Sequence, residues 1–312
     1  MTYTRRGLGK MALAALPSGK LLAKPNSNFG GVQIGIIISP VALRDLPLRA
    51  DELLKYVVEL GINAVELQDV RVESYAGAPV TVRTPGRSEP EQVRRKQAQR
   101  LTDWRMSVSS MDKYKALREM YSEAGVKIYA FRLAILTTDT SDAEFDYFFN
   151  TARALGADQI TTELPRDTEF TARIGAIAAQ HKMMVGYHNH TQVNFNSWDT
   201  ALAQSKYNGI NFDVGHYAAA VSQSPIPFIE KHHDRITCLH LKDRKFGING
   251  GQNVPWGQGD TPLQEILLTM KREKYKFPAG IELEYKIPEG STSMAEIRKC
   301  LRFCKDALSG RG

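Results

Sequence analysis

Short apolar, β-rich runs alternate with helical patterns eight times along this chain, and that alternation restricts the fold more than any other feature. The runs are Gln33–Ser39, Ala64–Gln68, Lys127–Leu133, Gln159–Leu164, Met183–His188, Ile210–Val214, Ile236–Leu241 and Ala279–Tyr285. Short runs that are apolar on both faces and separated by helices are what a parallel sheet requires. The segments between them carry helix punctuation. Asp51–Leu60 places Leu53, Leu54, Val57 and Val58 on one face, and Gly61 supplies the stop. Ser141 and Glu144 form a capping-box pattern ahead of Phe145, Phe148 and Phe149. Thr261-Pro262-Leu263-Gln264 offers a cap, a proline at the first helical position and a capping-box Gln. Eight such units close into a (β/α)8 TIM barrel, an α/β fold, expected as one domain over residues 30–312. An open doubly wound sheet is the competing arrangement, but no Gly-x-Gly-x-x-Gly fingerprint follows the first run.

The 312 residues, 42% of them hydrophobic, are ample for a barrel of ~250 residues. The formal charge of +7 is misleading about partners. Residues 1–24 hold Arg5, Arg6, Lys10, Lys20 and Lys24 and no acid. Without them 36 basic residues face 34 acidic ones, a balance of +2, so no nucleic-acid surface is implied. Thr4-Arg5-Arg6-Gly7-Leu8-Gly9-Lys10, the apolar stretch Met11 to Pro17 and the small residues near Ala23 resemble a twin-arginine export signal. The expectation is a periplasmic or otherwise exported protein, with residues 1–24 as the address; the competing reading is a basic tail on a cytoplasmic protein. No run approaches the ~18 uninterrupted apolar residues of a membrane span. The three cysteines, Cys238, Cys300 and Cys304, are too few and too oddly spaced for a disulfide framework or a zinc-thiolate site, and Cys304 falls on an apolar helical stripe.

Polar groups gather at the ends of the later runs. These are Glu163; His188, Asn189 and His190; Asp213 with His216; His240, Lys242 and Asp243; and Glu282 with Glu284. In a barrel these ends, and the polar or Gly-rich stretches 70–90 and 243–260, lie at the C-terminal face, where substrate sites are built. Each residue alone reads as a hydrogen-bonded strand end or, for Asp243 and Arg244, as a solvated loop pair. Together they read as an N/O site for one divalent ion, Mn2+, Mg2+, Co2+ or Zn2+, because carboxylates gathered out of water repel unless a cation sits among them.

At these residues the chain resembles the xylose isomerase-like barrels, a group that includes tagatose epimerases, hydroxypyruvate isomerase, inosose dehydratase and endonuclease IV. The resemblance covers most of residues 32–308. Phe212-Asp213-Val214-Gly215-His216 looks like the sixth-strand Asp-x-x-His, Leu239-His240-Leu241-Lys242-Asp243 like the seventh-strand His-Leu-x-Asp, and Leu283-Glu284-Tyr285-Lys286 like the eighth-strand Glu-Tyr-Lys. It implies Asp213, His240 and Glu284 as metal ligands, with His216 a near neighbour; His216, His190 and Lys242 are expected to bind the substrate. One departure stands out. Where the epimerases carry a fifth-strand glutamate that is both ligand and base, this chain has His188, so Glu163 is expected to complete the metal site and His188 is either a base or a fourth ligand.

The implied reaction is proton abstraction beside a sugar carbonyl, with His188 or Glu284 as base, in an isomerase or epimerase acting on a small sugar, keto-sugar or keto-glycoside. If a β-substituent leaves instead, the same site is a lyase, a dehydratase or a keto-glycoside eliminase. An endonuclease IV-like phosphodiesterase fits less well, because residues 243–260 hold no His and the third run offers only Arg132. A non-catalytic sugar-binding protein would bind the same ligands without proton exchange.

Overall fold

A computed structural model describes residues 24–38, 43, 45–80, 90–134 and 136–310. The export-signal expectation covers residues 1–24, of which 1–23 lie outside the described residues, as do 81–89 of the second-strand loop. The eight runs form eight parallel strands: β1 (Val32–Ile38), β2 (Ala64–Gln68), β3 (Lys127–Arg132), β4 (Gln159–Glu163), β5 (Met184–His188), β6 (Asn208–Asp213), β7 (Ile236–Leu241) and β8 (Ala279–Ile281). Each pairs with the next, and β8 pairs back onto β1 through Ile34 with Ala279 and Ile36 with Ile281, so the sheet closes into the expected barrel. Before it, Asn28–Phe29 pairs antiparallel with Val32 and Gln33 across Gly30-Gly31. Both glycines have positive φ, as a two-residue hairpin turn of this hand demands.

The helices pack outside for the reason their sequences suggest. In α1 (Ala50–Leu60), Ala50, Leu53, Val57 and Leu60 are buried, and Gly61 in the left-handed conformation donates to the Val57 and Val58 carbonyls. The helix Asp142–Leu155 starts on a reciprocal capping box between Ser141 and Glu144 and buries Phe145, Phe148 and Phe149. Burial of such side chains contributes about 1.5–3 kcal/mol each. Cys300 and Cys304 are buried and unbridged on the final helix, Ser293–Ser309. Among the described residues no helix is long and apolar enough to cross a membrane.

Two local expectations are corrected. The Thr261 hydroxyl does not cap the helix Leu263–Glu273, which starts after Pro262 without a side-chain cap. Thr261 Oγ1 instead accepts from Arg244 N–H and donates to the Arg244 carbonyl, so the 243–260 loop claims it. The eighth strand stops at Ile281 rather than Tyr285, and only Glu282 N–H, donating to the Leu241 carbonyl, carries the pairing further.

Candidate metal centre and active site

Register sets which strand ends share a level. Glu163 pairs with His188 and His188 with Asn211, while Asp213 pairs with His240 and His240 with Gly280. Inward-pointing side chains then meet near the C-terminal end. His188, Asp213, His240 and Glu282 offer donor atoms that all lie within 4.8 Å of one another, and all four are buried. In two of these residues a buried atom, His188 Nδ1 and Asp213 Oδ2, has no hydrogen-bond partner. A buried lone pair with no donor costs free energy unless something else occupies it. Two imidazoles and two carboxylates converging this way fit a divalent cation in both chemistry and number.

Glu282, not Glu284, is the eighth-strand member of this group. Both carboxylates reach Lys242 Nζ. Depth separates them. Glu282 lies at the level of His240, accepting from its Nδ1 at 2.9 Å. Glu284 lies farther out, where it accepts from Lys242 Nζ at 2.6 Å. Glu163 also falls outside the group. Its Oε1 accepts from Arg132 at 2.5 Å, and its Oε2 lies 3.1 Å from His190 Nε2. His188 takes the place beside Asp213 and His240 that Glu163 was expected to fill.

His240 is held from both sides. Its Nε2 lies 3.0 Å from Glu66 Oε2 on β2, and its Nδ1 faces Glu282. Burial favours the neutral ring, but Glu66 and Glu282 outweigh it and push His240 up to about 9. Glu66 is fully buried and also accepts from Thr161 Oγ1 at 2.7 Å. A carboxylate behind a histidine fixes its tautomer and aims the other nitrogen. Nδ1 is thereby turned toward Asp213 and Glu282.

Lys242 sits within the mouth, its Nζ 2.9 Å from Asp213 Oδ2, 3.0 Å from Glu282 Oε2 and 2.6 Å from Glu284 Oε2. The contact with Asp213 is an ion pair without hydrogen-bond alignment. Burial would lower Lys242, but the three carboxylates outweigh it and keep it charged. Burial also raises Glu282, yet Lys242 and His240 hold it well below the usual carboxylate range. Burial, with Arg132 and His240 nearby, keeps His188 neutral, the state in which an imidazole can bind a cation. His190, half exposed at the rim, is raised by its contact with Glu163.

Asp243 and Arg244 are not a solvated pair. Asp243 is buried and accepts from the Gly257 and Gly259 N–H groups at 2.8 Å, tying down the glycine-rich loop. Arg244 reaches His216 Nδ1 and the Gly251 carbonyl. The strand-end reading therefore found His188, Asp213, His240, His190, His216 and Lys242 in one mouth. It left Glu66, Arg132, Arg244 and the depth of Glu282 unassigned. The inward parity of Glu66 on a short apolar run was the available signal for the first of these.

The sequence matches the family described as xylose isomerase-like TIM barrel over residues 54–306. No curated protein matches the chain. Among solved structures, a xylose isomerase domain protein from Planctomyces limnophilus superposes with TM-score 0.61 at 15% identity, over 89% of this chain and 98% of that one. An uncharacterised protein from Parabacteroides distasonis gives TM-score 0.58 at 24% identity, over 88% and 99%. A sugar phosphate isomerase/epimerase from the same organism gives 0.56 at 17%, over 94% and 99%. At these identities the likeness is one of fold.

Proposed function

The chain belongs to the xylose isomerase-like TIM barrel family, and we propose that within it this protein is a divalent-metal-dependent sugar isomerase or epimerase. The observation that carries the reading is the buried four-donor group His188, Asp213, His240 and Glu282, flanked by acid–base groups on two opposite strands. A bound cation would act as a Lewis acid toward a sugar carbonyl and its neighbouring hydroxyl. His188 is then the fourth ligand rather than the base.

Proton movement falls to the flanking groups. Glu163 ends β4 and Glu284 follows β8, which lie across the barrel from each other in its strand order. Isomerisation or epimerisation needs one group to take a proton and another to return it, and a carboxylate on each side of the mouth meets that need. Glu163 is held ionised by His190 and Arg132 against the effect of burial, as a base must be. His190, touching both Glu163 and the rim, can relay its proton to solvent. Lys242, bonded to Glu284, supplies a fixed positive charge beside the developing oxyanion.

Solvent deuterium incorporation into a panel of keto-sugars and keto-glycosides, with Mn2+ added and followed by NMR, tests the reading. Exchange at the carbon beside the carbonyl with the skeleton intact supports it. Loss of water or of an aglycone would assign elimination instead, and metal or sugar binding with no exchange would leave a binding protein.

A further inference from the structure

We propose that Asn189 is a positioning residue that fixes the spacing of His188 and Asp213 by taking the place of a peptide group between their strands. The proposal rests on the metal site proposed above for what that spacing serves. β5 ends at His188, and its ladder with β6 ends where His188 pairs with Asn211. β6 runs two residues farther, to Asp213. By that level the chain after β5 has left the sheet, with His190 at the rim against Glu163. The end of β6 therefore extends past its neighbouring strand.

Asn189 supplies the missing partner with its side chain. Its Oδ1 accepts from Asp213 N–H at 2.9 Å, its Nδ2 donates to the Asp213 carbonyl at 3.1 Å, and both residues are fully buried. A primary amide carries the acceptor and the donor of a peptide group. Its orientation is forced, because turning it over sets donor against donor at the Asp213 N–H and acceptor against acceptor at the carbonyl.

Asn189 follows His188 directly in the chain, so the neighbour of one metal-binding side chain holds the backbone of the other. On its β4 flank His188 is held by the backbone itself, its carbonyl accepting from Leu164 N–H at 2.9 Å. Asp213 has little freedom left. Its Oδ1 accepts from His216 N–H at 2.7 Å, and it pairs with His240 on β7. Its Oδ2, which faces Lys242 Nζ at 2.9 Å, is the carboxylate oxygen without a hydrogen bond. A slip of Asp213 along its strand breaks both amide bonds at once and leaves two buried backbone groups unpaired. Groups that hold metal-binding side chains in place typically contribute about 10–100-fold to affinity.

The test combines two measurements on the full chain. Amide hydrogen exchange by NMR, without metal, reads whether Asn189 holds Asp213. Mn2+ titration calorimetry reads whether that hold sets the site. Asn189→Ala should speed exchange of the Asp213 amide by roughly tenfold or more and weaken Mn2+ binding by roughly 10–100-fold. Asn189→Ser, whose hydroxyl is too short to span both groups, should do the same, and it replaces the alanine variant if that one does not fold. Asn208→Ala is the control for general loosening. Asn208 is equally buried at the other end of β6, where its Nδ2 donates to the Thr171 and Ala201 carbonyls. Its loss should lower stability in urea and leave Mn2+ affinity unchanged. Wild-type exchange of the Asp213 amide in Asn189→Ala, wild-type Mn2+ affinity in that variant, or an equal loss of affinity in Asn208→Ala would overturn the proposal. A wild type that binds no Mn2+ while its Asp213 amide exchanges slowly would remove the metal reading, and the positioning role with it.

Discussion

Glu66 never touches the mouth, yet its removal should weaken metal binding. Its Oε2 accepts from His240 Nε2 at 3.0 Å inside a fully buried setting. A hydrogen bond to a charged group contributes about 1.5–3 kcal/mol and a neutral one about 0.5–1.5. Glu66→Gln keeps the shape and turns the first into the second, a loss of about 1–1.5 kcal/mol, or roughly tenfold in affinity at 1.36 kcal/mol per decade. Glu66→Ala removes the bond and should cost roughly 100-fold. Proton competition adds a pH signature. His240 is pushed up to about 9 because Glu66 and Glu282 outweigh the effect of burial. Metal binding must therefore expel a proton at pH 7, a handicap of about two decades that fades by pH 9. Removing Glu66 lowers His240 and eases that handicap, so the deficit of either variant is partly masked at pH 7 and widens toward pH 9. Mn2+ titration calorimetry across pH 7 to 9 measures it. Glu66→Gln binding like wild type at pH 9, or losing as much as Glu66→Ala, would refute the role given to this carboxylate.

Glu282→Ala should lose Mn2+ affinity by 100-fold or more, whereas Glu284→Ala should keep the ion and lose proton exchange by on the order of 10²-fold, with metal content and deuterium uptake measured on the same samples. His190 is raised by Glu163, so Glu163→Gln should lower its titration midpoint in an NMR pH series; an unchanged midpoint would dissolve the pair. A Cβ at Gly215 would lie 2.4 Å from Lys242 Cγ and 2.6 Å from the Lys242 carbonyl oxygen, so Gly215→Ala should destabilise the fold by about 1–3 kcal/mol in urea unfolding and displace the ammonium from the mouth.

The barrel was legible because periodicity reports burial. Runs apolar on both faces forced strands covered on both sides, and capping signals such as Ser141 with Glu144 marked a helix start to the residue. The gathering of polar groups at the ends of the later runs is why His188, Asp213, His240 and Lys242 were found together. Position at a strand end does not report depth. Glu282 and Glu284 carry the same inward signal, and only the early end of β8 at Ile281 decides which one reaches His240. Nor does a strand-end pattern foresee competition for a partner. Glu163 is drawn off by Arg132 and His190, contacts that span three strands and leave no trace in local sequence. Arg244 was read as solvated because a loop sequence does not show that it folds back onto His216.

The ammonium of Lys242, set between Asp213, Glu282 and Glu284, bears on the order in which this molecule is assembled. In small zinc domains the ion is the nucleus around which the chain organises, and without it the ligands fly apart. Here the acidic mouth carries its own counter-charge on a side chain that arrives with the neighbouring strand end. Barrel closure can therefore run to completion on the polypeptide alone. On the proposed reading an ion would enter a finished cavity, and its loading would be an exchange of one cation for another at Asp213 and Glu282 rather than a step in folding.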